Sequence, residues 1–166
     1  IISGYADGTF RPAASLTGYA FMKMLLGALG YDAEVEQYTG ANWSINVAKR
    51  ALNIGLDDDL VGEFNGVKAV NREEACLYAL NTLTADMVEY DAKTTVSTNG
   101  TTVVIAGSKA KEMVNNGNTD GKVFDKDGVM QFAEKYFDNL SVKTGSDEFE
   151  RPANVWKLKA EEIGTY

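Results

Sequence analysis

Gly4-Tyr5-Ala6-Asp7-Gly8-Thr9-Phe10-Arg11-Pro12, followed by Leu16-Thr17 and an apolar helix, decides how this 166-residue chain is read. Asp7-Gly8 is a turn dipeptide, Gly supplying backbone conformations that other residues resist. Tyr5 and Phe10 flank it as aromatic anchors expected to pack inward. Pro12 keeps the next segment extended up to Thr17, a candidate helix N-cap. Phe21, Met24, Leu25, Ala28 and Leu29 then follow the spacing of one buried helix face, and Gly30 is placed to end the helix. Part of this design recurs. Leu16-Thr17 with Phe21, Met22, Leu26 and Leu29 is echoed by Val70-Asn71 with Ala75, Cys76, Leu80 and Leu83, an offset of 54 positions. A fixed offset of that size marks a repeat architecture, and repeat surfaces serve mostly in binding.

Between the two copies, a polar loop from Asp32 to Gly40 leads to a helix starting near Asn42. Trp43, Val47, Ala51 and Ile54 lie a turn apart on it, and Gly55 terminates it. Asp57-Asp58-Asp59 reads as a solvated connector, with a metal site as the sharper alternative. The third helix carries the strongest start signal. Asn71 caps it, and Glu74 three residues on completes a capping box. Glu73 and Glu74 complement the helix dipole, and Ala75, Cys76, Ala79, Leu80 and Leu83 form its expected apolar stripe. Cys76 reads there as a small buried hydrophobe.

After Leu83 the composition changes. Met87–Tyr90, Thr94–Thr98 and Thr101–Ile105 are β-prone, and Asn99-Gly100 is a two-residue hairpin signal. A Lys-rich segment (Lys109, Lys111) and a Gly/Asn-rich loop follow. Val129, Phe132, Ala133, Tyr136 and Phe137 then mark an amphipathic helix. Leu140–Lys143 and Val155–Leu158 read as closing strands around an acidic turn. The expected fold is α+β: a helical repeat region over residues 1–85, then a small module over 86–166 with a β-hairpin or sheet and one amphipathic helix.

Composition narrows the function. Hydrophobic residues make up 45% of the chain, enough for a folded core. A net charge of −8 argues against a nucleic-acid partner, which would need clustered Lys and Arg. No run approaches the ~20 apolar residues of a membrane span, so no membrane insertion is expected. The chain opens abruptly inside a motif without an initiator Met, which reads as a piece of a longer precursor. With no His in the sequence, Ser-His-Asp chemistry and His-ligated zinc are excluded.

The Gly4–Pro12 block with Leu16-Thr17 resembles the second half of an S-layer homology (SLH) repeat. Trp43-Ser44 through Ala48, Ala51 and Gly55-Leu56 to Val70-Asn71-Arg72-Glu73-Glu74-Ala75 resembles the repeat that follows. The resemblance covers residues 1–84, about one and a half repeats. It implies a non-catalytic, extracellular protein of the bacterial cell wall or S-layer, attached non-covalently to a secondary cell-wall polysaccharide. It further implies that Arg72 meets the anionic sugar, that Trp43 lines the groove, and that Asp7 is the loop Asp of the motif. A guanidinium fork suits a carboxylate. The residue-level alternatives are an exposed ion pair for Arg72, a core anchor for Trp43 and a self-capping turn for Asp7. Two departures stand out: Gly18 occupies the Arg position of the first copy, and Gly62–Val67 replaces the Asp-Gly-Thr-Phe block in the second.

A second motif, Asn116 to Asp127, resembles an EF-hand-type loop and implies a calcium ion on Asn116, Asn118, Asp120 and Asp127. Its alternative is a polar surface loop in which Asp127 caps a helix. The expectation is otherwise of no cofactor. Two other functional classes remain open. Degenerate repeats could act only as scaffold, contacting other copies of the chain in a surface layer. A hydrolase fragment would use carboxylates such as Glu134, Asp147, Glu148 and Glu150, which read as surface charge.

Overall fold

A computed structural model of the chain describes residue 4 and residues 7–91, 94–98, 101–105 and 109–166. The elements in order are α1 (Gly18–Ala28), α2 (Trp43–Asn53), α3 (Arg72–Thr84), β1 (Val88–Glu89), β2 (Thr94–Thr98), β3 (Thr101–Ile105), β4 (Lys111–Glu112), α4 (Phe132–Tyr136), β5 (Leu140–Ser146), β6 (Pro152–Leu158) and β7 (Glu161–Thr165). The fold class is α+β, with helices beside small antiparallel sheets. The chain divides into two compact units, Ile1–Thr82 with Val88–Lys111, and Leu83–Met87 with Glu112–Tyr166. The composition change near residue 85 therefore falls inside a short crossover, and the β2–β3 segment belongs with the helices.

In the N-terminal unit, Thr17 caps α1 by accepting a hydrogen bond from the Ala20 N–H. The chain reverses at Gly30, in a left-handed conformation (φ 104°) that few other residues tolerate. The Val88 carbonyl also lies where a Gly30 side chain would begin, and the Val88 N–H donates to the Leu29 carbonyl. The buried face of α1 is Met22, Leu26 and Leu29. It is rotated from the expected Phe21/Met24/Leu25 stripe because Met24 and Leu25 lie on a half-buried flank. α2 buries Val47 and Ala51 as its spacing predicts. β2 and β3 pair antiparallel from Thr94↔Ile105 to Thr98↔Thr101, as a two-residue connection requires; Asn99-Gly100, like Tyr5, lies outside the described residues. Phe10, expected to pack inward, is 62% exposed.

α3 has the predicted start: Glu74 accepts from the Asn71 N–H and Asn71 Oδ1 accepts from the Glu74 N–H, both at 2.9 Å. Its predicted stripe is overturned. Cys76, Ala79 and Leu80 are exposed, and the buried residues are Tyr78 and Thr82. Tyr78 is drawn in by rings, lying 6.3 Å from Phe21 and 6.2 Å from Phe64. Thr82 can be buried because its hydroxyl donates to the Tyr78 carbonyl at 2.7 Å, so the hydroxyl keeps a partner.

In the C-terminal unit β5, β6 and β7 form one antiparallel sheet in that order. β5 and β6 pair from Leu140↔Leu158 to Ser146↔Pro152 around the Asp147–Glu150 turn; β7 has no counterpart in the sequence reading. The core is Val123, Ala133, Val142 and Trp156. Backbone amides of Met87, Met113 and Met130 close a ring, each N–H donating to the carbonyl of another at 2.8 Å. The amphipathic helix is shorter than expected. It does not begin at Asp127, because Val129 is held in an antiparallel bridge to Val114. Tyr136 and Phe137, expected inside, are exposed. Their rings gather instead around Phe132, at 4.8 and 6.3 Å.

Candidate functional site

The two sequence-related segments meet in space. Thr17 and Ala69 form an antiparallel bridge, and the Val70 N–H donates to the Leu16 carbonyl at 2.9 Å, so two positions 54 residues apart in sequence are hydrogen-bonded to each other. The first N–H groups of α1 are consumed by this junction: Gly18 donates to Lys68 (3.0 Å) and Tyr19 to Gly66 (2.8 Å). A Cβ on Gly18 would sit 2.9 Å from the Asn65 carbonyl and 3.0 Å from Gly66 Cα. The space beside Gly18 is thus filled by backbone of residues 65 and 66.

Around the junction lies a run of rings. Tyr19 meets Trp43 edge-on (6.3 Å, 77°) and Phe64 (5.9 Å, 69°). Trp43 is half-buried, with Lys23 Nζ 5.4 Å from its ring centre, so it is at once a packing anchor and a partly open aromatic wall. Arg72 is exposed in the first turn of α3. Asp7 closes its own turn: Oδ1 accepts from the Thr9 N–H (3.0 Å) and hydroxyl (2.7 Å), while Oδ2 pairs with Arg11. The Thr9 hydroxyl, then its N–H, hold the Asp7 carboxyl below its ordinary value. Among the described residues no hydrogen bond, ion pair or ring contact joins Arg72, Trp43 and Asp7 to one another.

The calcium candidates form a hydrogen-bonded turn. Asp120 Oδ1 accepts from Gly128 N–H, Asp127 Oδ1 from Val129 N–H, and Asp127 Oδ2 from the Gln131 amide. Asn116 and Asn118 are exposed. Among the described residues no group of three or more acidic or Cys side chains is placed to hold a metal ion.

What sequence reasoning missed is Glu134. Taken as surface charge, it is 1% exposed. Its Oε1 accepts from the N–H groups of Lys122 (3.0 Å) and Val123 (3.1 Å), and its Oε2 from the Asn115 amide (2.6 Å). These partners satisfy a carboxylate that would be costly to bury alone, and the group ties the 115–123 loop to α4. Its position one residue after buried Ala133 was the available signal. Asp147 likewise builds a turn, held ionised by the Arg151 guanidinium.

Compared with known protein families, curated proteins and solved structures, the chain matches none.

Proposed function

We propose that this chain is a non-catalytic bacterial cell-surface protein whose N-terminal unit is an SLH-type attachment module for a secondary cell-wall polysaccharide. The observation that carries the reading is the Leu16-Thr17 to Ala69-Val70 pairing, in which stretches related by sequence spacing are also direct neighbours. Arg72 supports it as a solvent-facing guanidinium in the first turn of a capped helix, where peptide N–H groups and the helix dipole favour an anion. The half-buried Trp43 offers an apolar edge to a sugar ring. The test is co-sedimentation of the full chain with purified wall polysaccharide. Arg72→Ala is expected to weaken binding at least ~10-fold, the value of one charge-assisted bidentate contact; undiminished binding removes Arg72 from the site.

A second reading draws on the filled N-terminus of α1. There Gly18 and Tyr19 have already given their N–H groups to backbone carbonyls, so the first copy offers no anion site. Under this reading the unit is a scaffold that contacts other copies of itself in a surface lattice, and no polysaccharide binds.

A further inference from the structure

The sequence holds three Asn-Gly dipeptides, Asn65-Gly66, Asn99-Gly100 and Asn116-Gly117. Asn is a chemically labile residue, and a following Gly exposes that lability. With no Cβ on the Gly, its nitrogen is unshielded and its backbone can swing toward the Asn side-chain carbon. Asn99-Gly100 lies outside the described residues. The other two carry the same chemistry in different surroundings, so the fold decides which of them reacts.

At Asn65-Gly66 both reacting groups are held. Asn65 Oδ1 accepts from the Val67 N–H at 3.3 Å and the Lys68 N–H at 3.2 Å, which fixes the carboxamide on the later amides of the turn. Gly66 is buried, and the Tyr19 ring lies where a Gly66 side chain would begin. The Gly66 carbonyl accepts from the Tyr19 N–H at 2.8 Å. For the Gly66 nitrogen to reach Asn65 Cγ, this seat on α1 has to open.

At Asn116-Gly117 the electrophile is loose. Asn116, Gly117 and Asn118 are all exposed, so water has access. Among the described residues the Asn116 carboxamide joins no hydrogen bond. The Gly117 N–H donates to Asn115 Oδ1 at 3.0 Å, so the proton that must leave the nitrogen already points at an acceptor. Asn115 itself is 1% exposed, and its amide donates to Glu134 Oε2 at 2.6 Å. The loose dipeptide therefore adjoins the residue that holds the buried carboxylate.

We propose that Asn116 is a site of spontaneous deamidation, that the fold spares Asn65, and that the isoaspartyl product at Asn116 loosens the hold on Glu134. The Gly117 nitrogen gives its proton to solvent base and attacks Asn116 Cγ. A C–N bond forms there, the bond from Cγ to the side-chain nitrogen breaks, and ammonia leaves with a proton from water. The cyclic succinimide then takes up water at one of its two carbonyls and opens to aspartate or isoaspartate. No electrons are transferred, and water is the only co-reactant. The isoaspartyl form adds a carbon to the main chain between Asn115 and Gly117, which draws the Gly117 N–H off Asn115 Oδ1.

The test is incubation of the full chain at mildly alkaline pH, in buffer and in concentrated urea. Peptide fragmentation by mass spectrometry locates the gain of about one dalton, and enzymatic carboxyl methylation detects isoaspartate. In buffer, Asn116 is expected to convert at least ~10-fold faster than Asn65. In urea the two rates should converge, because neither dipeptide is then restrained. Gly117→Ala should slow conversion at Asn116 by ~10-fold or more. Equal rates in buffer, faster conversion at Asn65, or a rate gap that persists in urea overturns the proposal. The isoaspartyl chain, separated by chromatography, should melt below the fresh chain when followed by Trp156 fluorescence in a Trp43→Phe background. An unchanged melt overturns the link to Glu134.

Discussion

Replacing Gly18 by Ala sets two effects against each other. In a helix, Ala is favoured over Gly by about 1 kcal/mol, less at the first position. Against this, the new Cβ would meet the Asn65 carbonyl at 2.9 Å, Gly66 Cα at 3.0 Å and a Phe64 ring carbon at 3.2 Å. Two of these are backbone atoms in a hydrogen-bonded junction, so relief requires the junction to open. Overpacking of this kind costs about 1–3 kcal/mol, and a net loss of about 1–2 kcal/mol follows. Gly66→Ala should cost about 2–3 kcal/mol, because its Cβ would enter the Tyr19 ring, itself held between Trp43 and Phe64. The double variant should lose less than the sum, both changes prying at one contact. Thermal unfolding followed by Trp43 fluorescence in a Trp156→Phe background reads this unit, since Trp43 rests on Tyr19. The melting temperature should fall by several degrees for Gly18→Ala, about 4–8 °C per kcal/mol in a unit of this size. An unchanged or raised value would refute the seating of residues 64–66 on α1, and with it the pairing of Leu16-Thr17 with Ala69-Val70.

Glu134→Ala should destabilise the C-terminal unit by about 3–5 kcal/mol, since three donors, two of them buried, lose this acceptor at once; Trp156 fluorescence in a Trp43→Phe background measures it, and a loss under about 1 kcal/mol would contradict the network. The Asn71 N–H, ahead of the nearby Lys68, holds the Glu74 carboxyl below its ordinary value of 4.5. Its stabilising contribution is therefore complete above that value and lost as pH falls through the lower folded-state value. The melting-temperature gap between wild type and Glu74→Gln should accordingly narrow between pH 6 and pH 3, and a constant gap counts against the capping box. Chelator or millimolar Ca²⁺ should leave the melting temperature of the whole chain unmoved; a clear upward shift with Ca²⁺ would mark the Asn116–Asp127 loop as a metal site.

Local signals translated into structure wherever the deciding chemistry was itself local. Thr17, Asn71 with Glu74, and the β2–β3 spacing act through neighbours within a few residues, and each stands where the sequence put it. The misread faces failed where partners come from afar. In α3, a stripe of Cys76 and Ala79 that left Tyr78 out ignored the Phe21 and Phe64 rings, which lie 57 and 14 residues away. α4 was overextended because Val129 fits helical spacing equally well but is claimed by Val114. Glu134 reads as surface charge in the sequence because hydropathy assigns a carboxylate to water, whereas Asn115 and two peptide N–H groups take water's place. Of the candidate site, residue types were legible and juxtaposition was not: Trp43 proved to be one link in an aromatic chain, and Asp7 a turn closure.

The outward position of Cys76 on α3 has a practical corollary. As the chain's sole sulfhydryl, lying on a solvent-facing surface, it will take a maleimide dye stoichiometrically without engineering. The same accessibility means that stocks kept without reductant will accumulate a covalent two-chain species, visible on a non-reducing gel and easily mistaken for a native assembly.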